Sequence, residues 1–322
     1  PVPGCPCSRN KSEIFRHMPE RYPFFDFSGI RFIQFSRQAK NFLHKGLLMK
    51  YDRCLSKGTI IPLLFMVLFS PAGCSGDSDN GSEPIPDAVV LDIPALYSRV
   101  DTISMLVIYE PDAEPFTGSA QPGTPYWSVL RSNIASLFEG RTIEPDIYVP
   151  SDLSEMERIS DQGQETWTAD DIIALARTVW DGNLSDFAVE FPVFFLNGYF
   201  ENEEGTNYQI IGVSIIGTPV IAVFKDVVLS SSSMTQVSRF VEQATLVHEF
   251  GHVMGLVNNG VPMTSDHLDP EHPRHCTNER CVMFWQNEGA SDMMLFVQQM
   301  IDEGSVIMFG NECLEDTRSY RP

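Results

Sequence analysis

Basic residues are scarce over most of this 322-residue chain. From residue 74 onward there are 11 Lys and Arg against 39 Asp and Glu, whereas residues 1–73 are basic and bring the formal net charge of the whole to −21. An acidic surface of this kind repels nucleic acid and bare anionic lipid and favours solubility or cationic partners, which argues against DNA or RNA binding. Long hydrophobic runs are missing too. The apolar stretch from Ile60 to Phe69 is too short to cross a bilayer, which takes roughly 20 residues. No internal repeat and no coiled-coil pattern is present, so solenoids and long bundles are set aside. What remains is an ordinary globular composition, 43% apolar, long enough for one large domain or two small ones.

Targeting must be separated from structure first. Pro1 opens the sequence, and Met49 is the first methionine that begins a recognisable export signal, followed by Lys50, Arg53, Lys57, the Ile60–Phe69 run and Pro71-Ala72-Gly73-Cys74. Small residues before a cysteine resemble a bacterial lipoprotein cleavage site, with Cys74 as the lipidated residue, although Pro71 stands where such signals usually carry Leu; a plain secretory signal, and so a secreted protein, is the alternative. The expected organisation is therefore upstream translation at 1–48, a signal peptide at 49–73, a Gly/Ser/Asp-rich flexible tether at 74–87 and a folded domain at 88–322.

Within that domain the patterns alternate. Ser104 to Tyr109 reads as a buried strand ended by Glu110-Pro111, and Tyr126 to Glu139 as a helix stopping at Gly140. Asp146 to Pro150 reads as a second strand, and a helix runs from an N-cap at Thr168 to about Trp180. Phe191 to Phe200, Gln209 to Ile216 and Val220 to Val228 are three further strand candidates. A βαβα order followed by consecutive strands predicts an α/β fold whose mixed sheet has an antiparallel member. Met234 to Leu256 predicts a long helix, and Ser291 to Ile301 a shorter one near the C-terminus.

The chemistry gathers on the long helix. His248-Glu249-Phe250-Gly251-His252 puts two imidazoles at i and i+4, on one helical face and close enough to share a tetrahedral zinc. Glu249 lies on an adjacent part of that face, where a carboxylate can take a proton from zinc-bound water. The five-residue pattern arises by chance in roughly one such chain in a hundred. Its context sharpens it, because all five His after residue 73 lie between His248 and His275. The bland alternative is a pair of solvated helix histidines.

His248-Glu249-x-x-His252-x-x-Gly255 resembles the metzincin metallopeptidases, in which the Gly turns the chain sharply to bring a third ligand under the metal. Further on, His275-Cys276-x4-Cys281-x-Met283 resembles the archaemetzincin continuation, with Met283 as the Met-turn. The resemblance covers Thr235 to Met283 and implies a metzincin-like mixed sheet, an active-site helix carrying the zinc motif, a C-terminal helix, one Zn2+, and peptide or protein substrates. Two departures stand out. Leu256 to Arg274 intervene before the His-Cys pair, leaving Asn258 at the usual third-ligand position. The family's second zinc on four Cys also lacks a ligand, since Gly310 falls where one Cys belongs; a disulfide among Cys276, Cys281 and Cys313 is expected instead.

His275 is the expected third ligand, with His267 as second choice and His272 and Asn258 behind. Met283 has a plain packing alternative, and Trp285 is assigned to packing or subsite lining. Asp266, Asp269 and Glu271 read as a solvated loop. The leading expectation is peptide-bond hydrolysis with Glu249 as general base. Set against it are a catalytically inactive zinc-containing surface lipoprotein acting as a binding module, and a zinc hydrolase of non-peptide amides.

Overall fold

The computed structural model describes residues 90–121, 124–182 and 185–322. The expected upstream segment, signal peptide, Cys74, the whole tether at 74–87 and residues 88–89 of the expected domain lie outside the described residues. In chain order the elements begin with α1 (Ile93–Ser98), β1 (Thr102–Tyr109), β2 (Ser119–Gln121), β3 (Thr124–Pro125), α2 (Ser128–Phe138), β4 (Asp146–Tyr148), β5 (Glu157–Arg158), β6 (Thr166–Trp167) and α3 (Ala169–Val179). They continue with β7 (Ala188–Leu196), β8 (Tyr199–Asn202), β9 (Gly205–Asn207), β10 (Gly212–Ser214), β11 (Ile221–Phe224), α4 (Lys225–Ser230), α5 (Thr235–Val253), α6 (Ala290–Glu303) and α7 (Asn311–Ser319).

The main sheet runs β10-β11-β7-β1-β4, with β5 adding to the end of β1. All its pairs are parallel except β10 with β11, so the α/β class and the antiparallel member are as the patterns predict. Parallel strands are covered on both faces and need apolar residues at successive positions rather than alternate ones. β7 meets that demand, with Phe191 through Leu196 buried without a break. α3 starts where predicted: Thr168 and Asp171 form a reciprocal capping box, the Asp171 amide 3.2 Å from Thr168 Oγ1 and the Thr168 amide 2.9 Å from Asp171 Oδ2. Such a cap stabilises a helix by about 1 kcal/mol.

Two strand expectations need correction. Phe191 to Phe200 is not continuous, because the chain turns at Asn197-Gly198, where the Asn197 amide donates to Glu110 Oε2 at 2.9 Å, and re-emerges as β8 in a separate three-stranded sheet. Val220 to Val228 changes state at Lys225, where β11 gives way to α4. Lys225 is buried and pairs with Glu242 of α5, whose carboxylate also accepts the Phe116 amide at 2.8 Å. That tertiary pairing outweighs the β-rich local sequence. α7 was missed because its nine residues carry few apolar side chains; Cys313, Leu314, Asp316 and Thr317 nonetheless face inward.

α5 positions the site. Sixteen of its 19 residues are buried, so it has no solvated face and the reading of exposed helix histidines falls away. It lies against β10 and β11 on one side and packs against α2 and α6 on others.

Candidate metal centre

α5 stacks His248 and His252 one turn apart, with their Nε2 atoms 3.2 Å from each other. The helix ends at Gly255, whose φ of +79° turns the chain out, while the Asn259 side chain donates to the His252 carbonyl at 2.9 Å and closes the last turn. The intervening segment folds as a hairpin in which the Asp269 amide donates to His275 O and the Thr277 amide to His267 O. His275 returns beneath the helix, its ring centroid 5.5 Å from that of His248 and 4.9 Å from that of His252. Arg274, just before it, adopts φ +71°, a left-handed conformation costly for a side-chain-bearing residue and found at sites the fold over-determines.

Ligand atoms of His248, His252, His275 and Glu288 all lie within 4.8 Å of one another. Zinc–nitrogen bonds of about 2.0–2.1 Å in a tetrahedron imply ligand separations near 3.3 Å, which the His248–His252 spacing matches. His248 Nδ1 lies 2.7 Å from the Val282 carbonyl, which places the proton there and leaves Nε2 as a donor of electrons to a metal. The Asn287 side chain braces the same carbonyl at 3.0 Å and that of Cys281 at 3.2 Å. Burial, with repulsion from His275, holds the His248 pKa down at about 4, and burial also holds that of His252 well below the usual imidazole range. Both rings are neutral at pH 7, the state that binds metal. Buried His252 Nδ1 and His275 Nδ1 have no hydrogen-bond partner among the described residues, while His275 Nε2 faces the Glu288 carboxylate at 3.0 Å. Unpaired buried imidazole nitrogens fit a centre built for a cation.

Glu249 is buried one residue along, hydrogen-bonded by the main chain and hydroxyl of Ser214. Burial, and then the Glu288 charge, push its pKa up to about 8 against the opposing effect of Ser214 and Arg274. A cation beside it would pull that value back down. The carboxylate opens onto a cleft of about 530 Å³ lined also by Gly212, Ser214, Arg274, His275 and Glu288. Met283 packs under the helix at Gly251, where a Cβ would come within 2.3 Å of its sulfur.

The other candidate ligands are elsewhere. Asn258 is exposed, in a left-handed turn with φ +59°. His272 stacks on Trp285 at a centroid distance of 3.8 Å and pairs with Asp269 at 2.9 Å, so both Asp269 and Trp285 serve the loop's own packing. His267 joins the cysteines. The disulfide expectation is corrected here, since Cys276, Cys281 and Cys313 are all free and buried, with Cys281 and Cys313 sulfurs 3.6 Å apart. His267, Cys276 and Cys313 place ligand atoms within 4.8 Å of one another. His267 Nε2 lies 2.8 Å from Asp316 Oδ2 and Nδ1 lies 3.3 Å from Cys276 Sγ. A carboxylate behind an imidazole that faces thiols is a donor set suited to zinc or another soft divalent ion. The Asp316 and Cys276 bonds push His267 up to about 10, while bonds from Cys281 and Cys313 hold Cys276 far below the ordinary thiol range.

Glu288, Arg274, Ser214, Asn287 and Asp316 carried no signal in the sequence. Each reaches its site through tertiary approach, at a spacing that belongs to no local motif. No family model and no curated protein matches the chain. Among solved structures, the crystal structure of a zinc-dependent peptidase from Methanocorpusculum labreanum (strain Z) matches at 11% sequence identity and a TM-score of 0.38, covering 67% of this chain and 100% of that one.

Proposed function

We propose that this protein is a metzincin-type zinc peptidase, exported and held at the cell envelope through Cys74. The observation that carries the reading is the convergence of three buried imidazoles, two of which, His252 and His275, line one cleft together with the buried Glu249 carboxylate. His248, His252 and His275 would hold the zinc, which supplies a Lewis acid for the scissile carbonyl and for the attacking water. Glu249 accepts the proton of that water and returns it to the leaving amine. Its elevated proton affinity in the metal-free protein suits a group that must both take and release a proton. β10 is the edge of the sheet and lines the cleft, so its outward backbone groups are available to pair with an extended peptide.

One observation favours a second reading. Glu288 adds a fourth protein ligand to the three imidazoles, and a site closed by four protein ligands is the pattern of a structural zinc in a binding protein. The two readings separate on one experiment. The purified domain should cleave members of a peptide library, and Glu249→Gln should retain zinc while losing on the order of 10²-fold or more in rate. Equal rates for the two proteins remove Glu249 as the base, and no cleavage by the zinc-loaded wild type rules out the peptidase in favour of the binding protein or a hydrolase of non-peptide amides.

A further inference from the structure

Glu288 stands within ligand distance of the three imidazoles, and peptide hydrolysis does not require it. It ends a short 3-10 turn, Trp285–Glu288, whose backbone is pinned on both sides. Asn287 fastens the turn to Cys281 and Val282, the Ile211 amide donates to Glu288 O at 3.4 Å, and the Ala290 amide donates to Gln209 O at 3.3 Å. The backbone therefore spans the cleft from the metal loop to the chain entering β10. From this fixed base the carboxylate reaches inward, its Oε1 3.0 Å from His275 Nε2. Apart from this carboxylate, that nitrogen has no hydrogen-bond partner among the described residues. The same 3.0 Å spacing that pairs carboxylate and ring also makes the two atoms neighbours that one metal ion could bind together, since ligand atoms of His248, His252, His275 and Glu288 all lie within 4.8 Å of one another.

We infer that Glu288 is a self-supplied fourth ligand that closes the metal in the resting protein and leaves it when a substrate or anion enters. The inference rests on the metal reading above. The side chain is 49% exposed while its backbone is anchored, so it swings out by side-chain rotation and no loop has to move. A carboxylate occupying the position that water and substrate need makes the resting centre latent, and an incoming ligand competes with it for the metal.

Cobalt(II) in place of zinc gives a readout independent of turnover. Wild-type Co(II) protein should change its visible spectrum with azide only at concentrations at least about tenfold above those that act on Glu288→Ala, and zinc affinity by chelator competition should fall about tenfold or more in the variant. Glu288→Gln, of nearly the same shape, should behave in the same direction. Equal azide response and equal zinc affinity in wild type and both variants overturn the inference while leaving the three-histidine centre intact. Failure of wild type to bind Co(II) or zinc overturns the metal centre itself, and this inference with it.

Discussion

Replacing Gly251 by alanine pushes a methyl group against Met283 at the point where the helix and the metal loop touch. The new Cβ would lie 2.3 Å from Met283 Sδ and 3.1 Å from Phe309 Cε1, where unstrained contacts run at about 3.5–4.0 Å. Met283 has no exposed surface, so its sulfur cannot retreat into solvent. Overpacking of a tight core costs about 1–3 kcal/mol, and the better helix preference of alanine returns about 1 kcal/mol, leaving a net loss of up to about 2 kcal/mol. The displacement should also reach the metal, because Val282, next to Met283, holds His248 Nδ1 through its carbonyl. Urea unfolding of metal-free protein measures the first effect, and chelator competition the second. Met283→Ala alone opens a cavity worth about 2–5 kcal/mol, but it also makes room for the added methyl, so the double variant should be more stable than the sum of the singles by about 1 kcal/mol or more. Gly251→Ala at wild-type stability or above, with no coupling to Met283, would refute the close approach as the reason for glycine there.

His275→Ala should lower zinc affinity at the centre much more than His267→Ala, His272→Ala or Asn258→Ala, measured by chelator competition; a weaker effect than His267→Ala would move the third ligand into the hairpin. In metal-free protein the His248 ring should titrate near pH 4 by NMR, and a midpoint near 6.5 would contradict its burial. Because that pKa is depressed, the stability linked to neutral His248 is present above about pH 6.5 and is lost as pH falls through 4, while Glu249, protonated up to about 8, opposes the trend. Labelled palmitate should enter protein expressed from Met49, and Cys74→Ser should release it from membranes; an unlabelled, soluble wild type would remove the anchor.

What could be read from the sequence was local. His248 and His252 announce themselves because a helix turns four residues into one face, and β7 because an unbroken apolar run suits a strand covered on both sides. His275 was reachable only through its neighbours Cys276, Cys281 and Met283. Lys225 reads as part of a strand because its stretch is β-rich, and only the buried approach of Glu242 explains why a helix starts there. Glu288 and Asp316 lie farther still from legibility, for their partners His275 and His267 meet them across folded backbone. The disulfide expectation failed for a related reason: counting cysteines does not reveal that an imidazole and a carboxylate occupy the space around them.

His275 and Cys276 are consecutive residues, yet one faces the imidazole cluster and the other the sulfur cluster. One peptide unit is thus a shared wall, held to the rest of the fold by the Cys276 amide donating to Met283 O at 2.7 Å. Any shift of that peptide imposed from the sulfur side would carry the imidazole on its other face with it. By reciprocity, whatever the thiol chamber's state does to affinity at the histidines, filling the histidines must do in equal measure to the thiols.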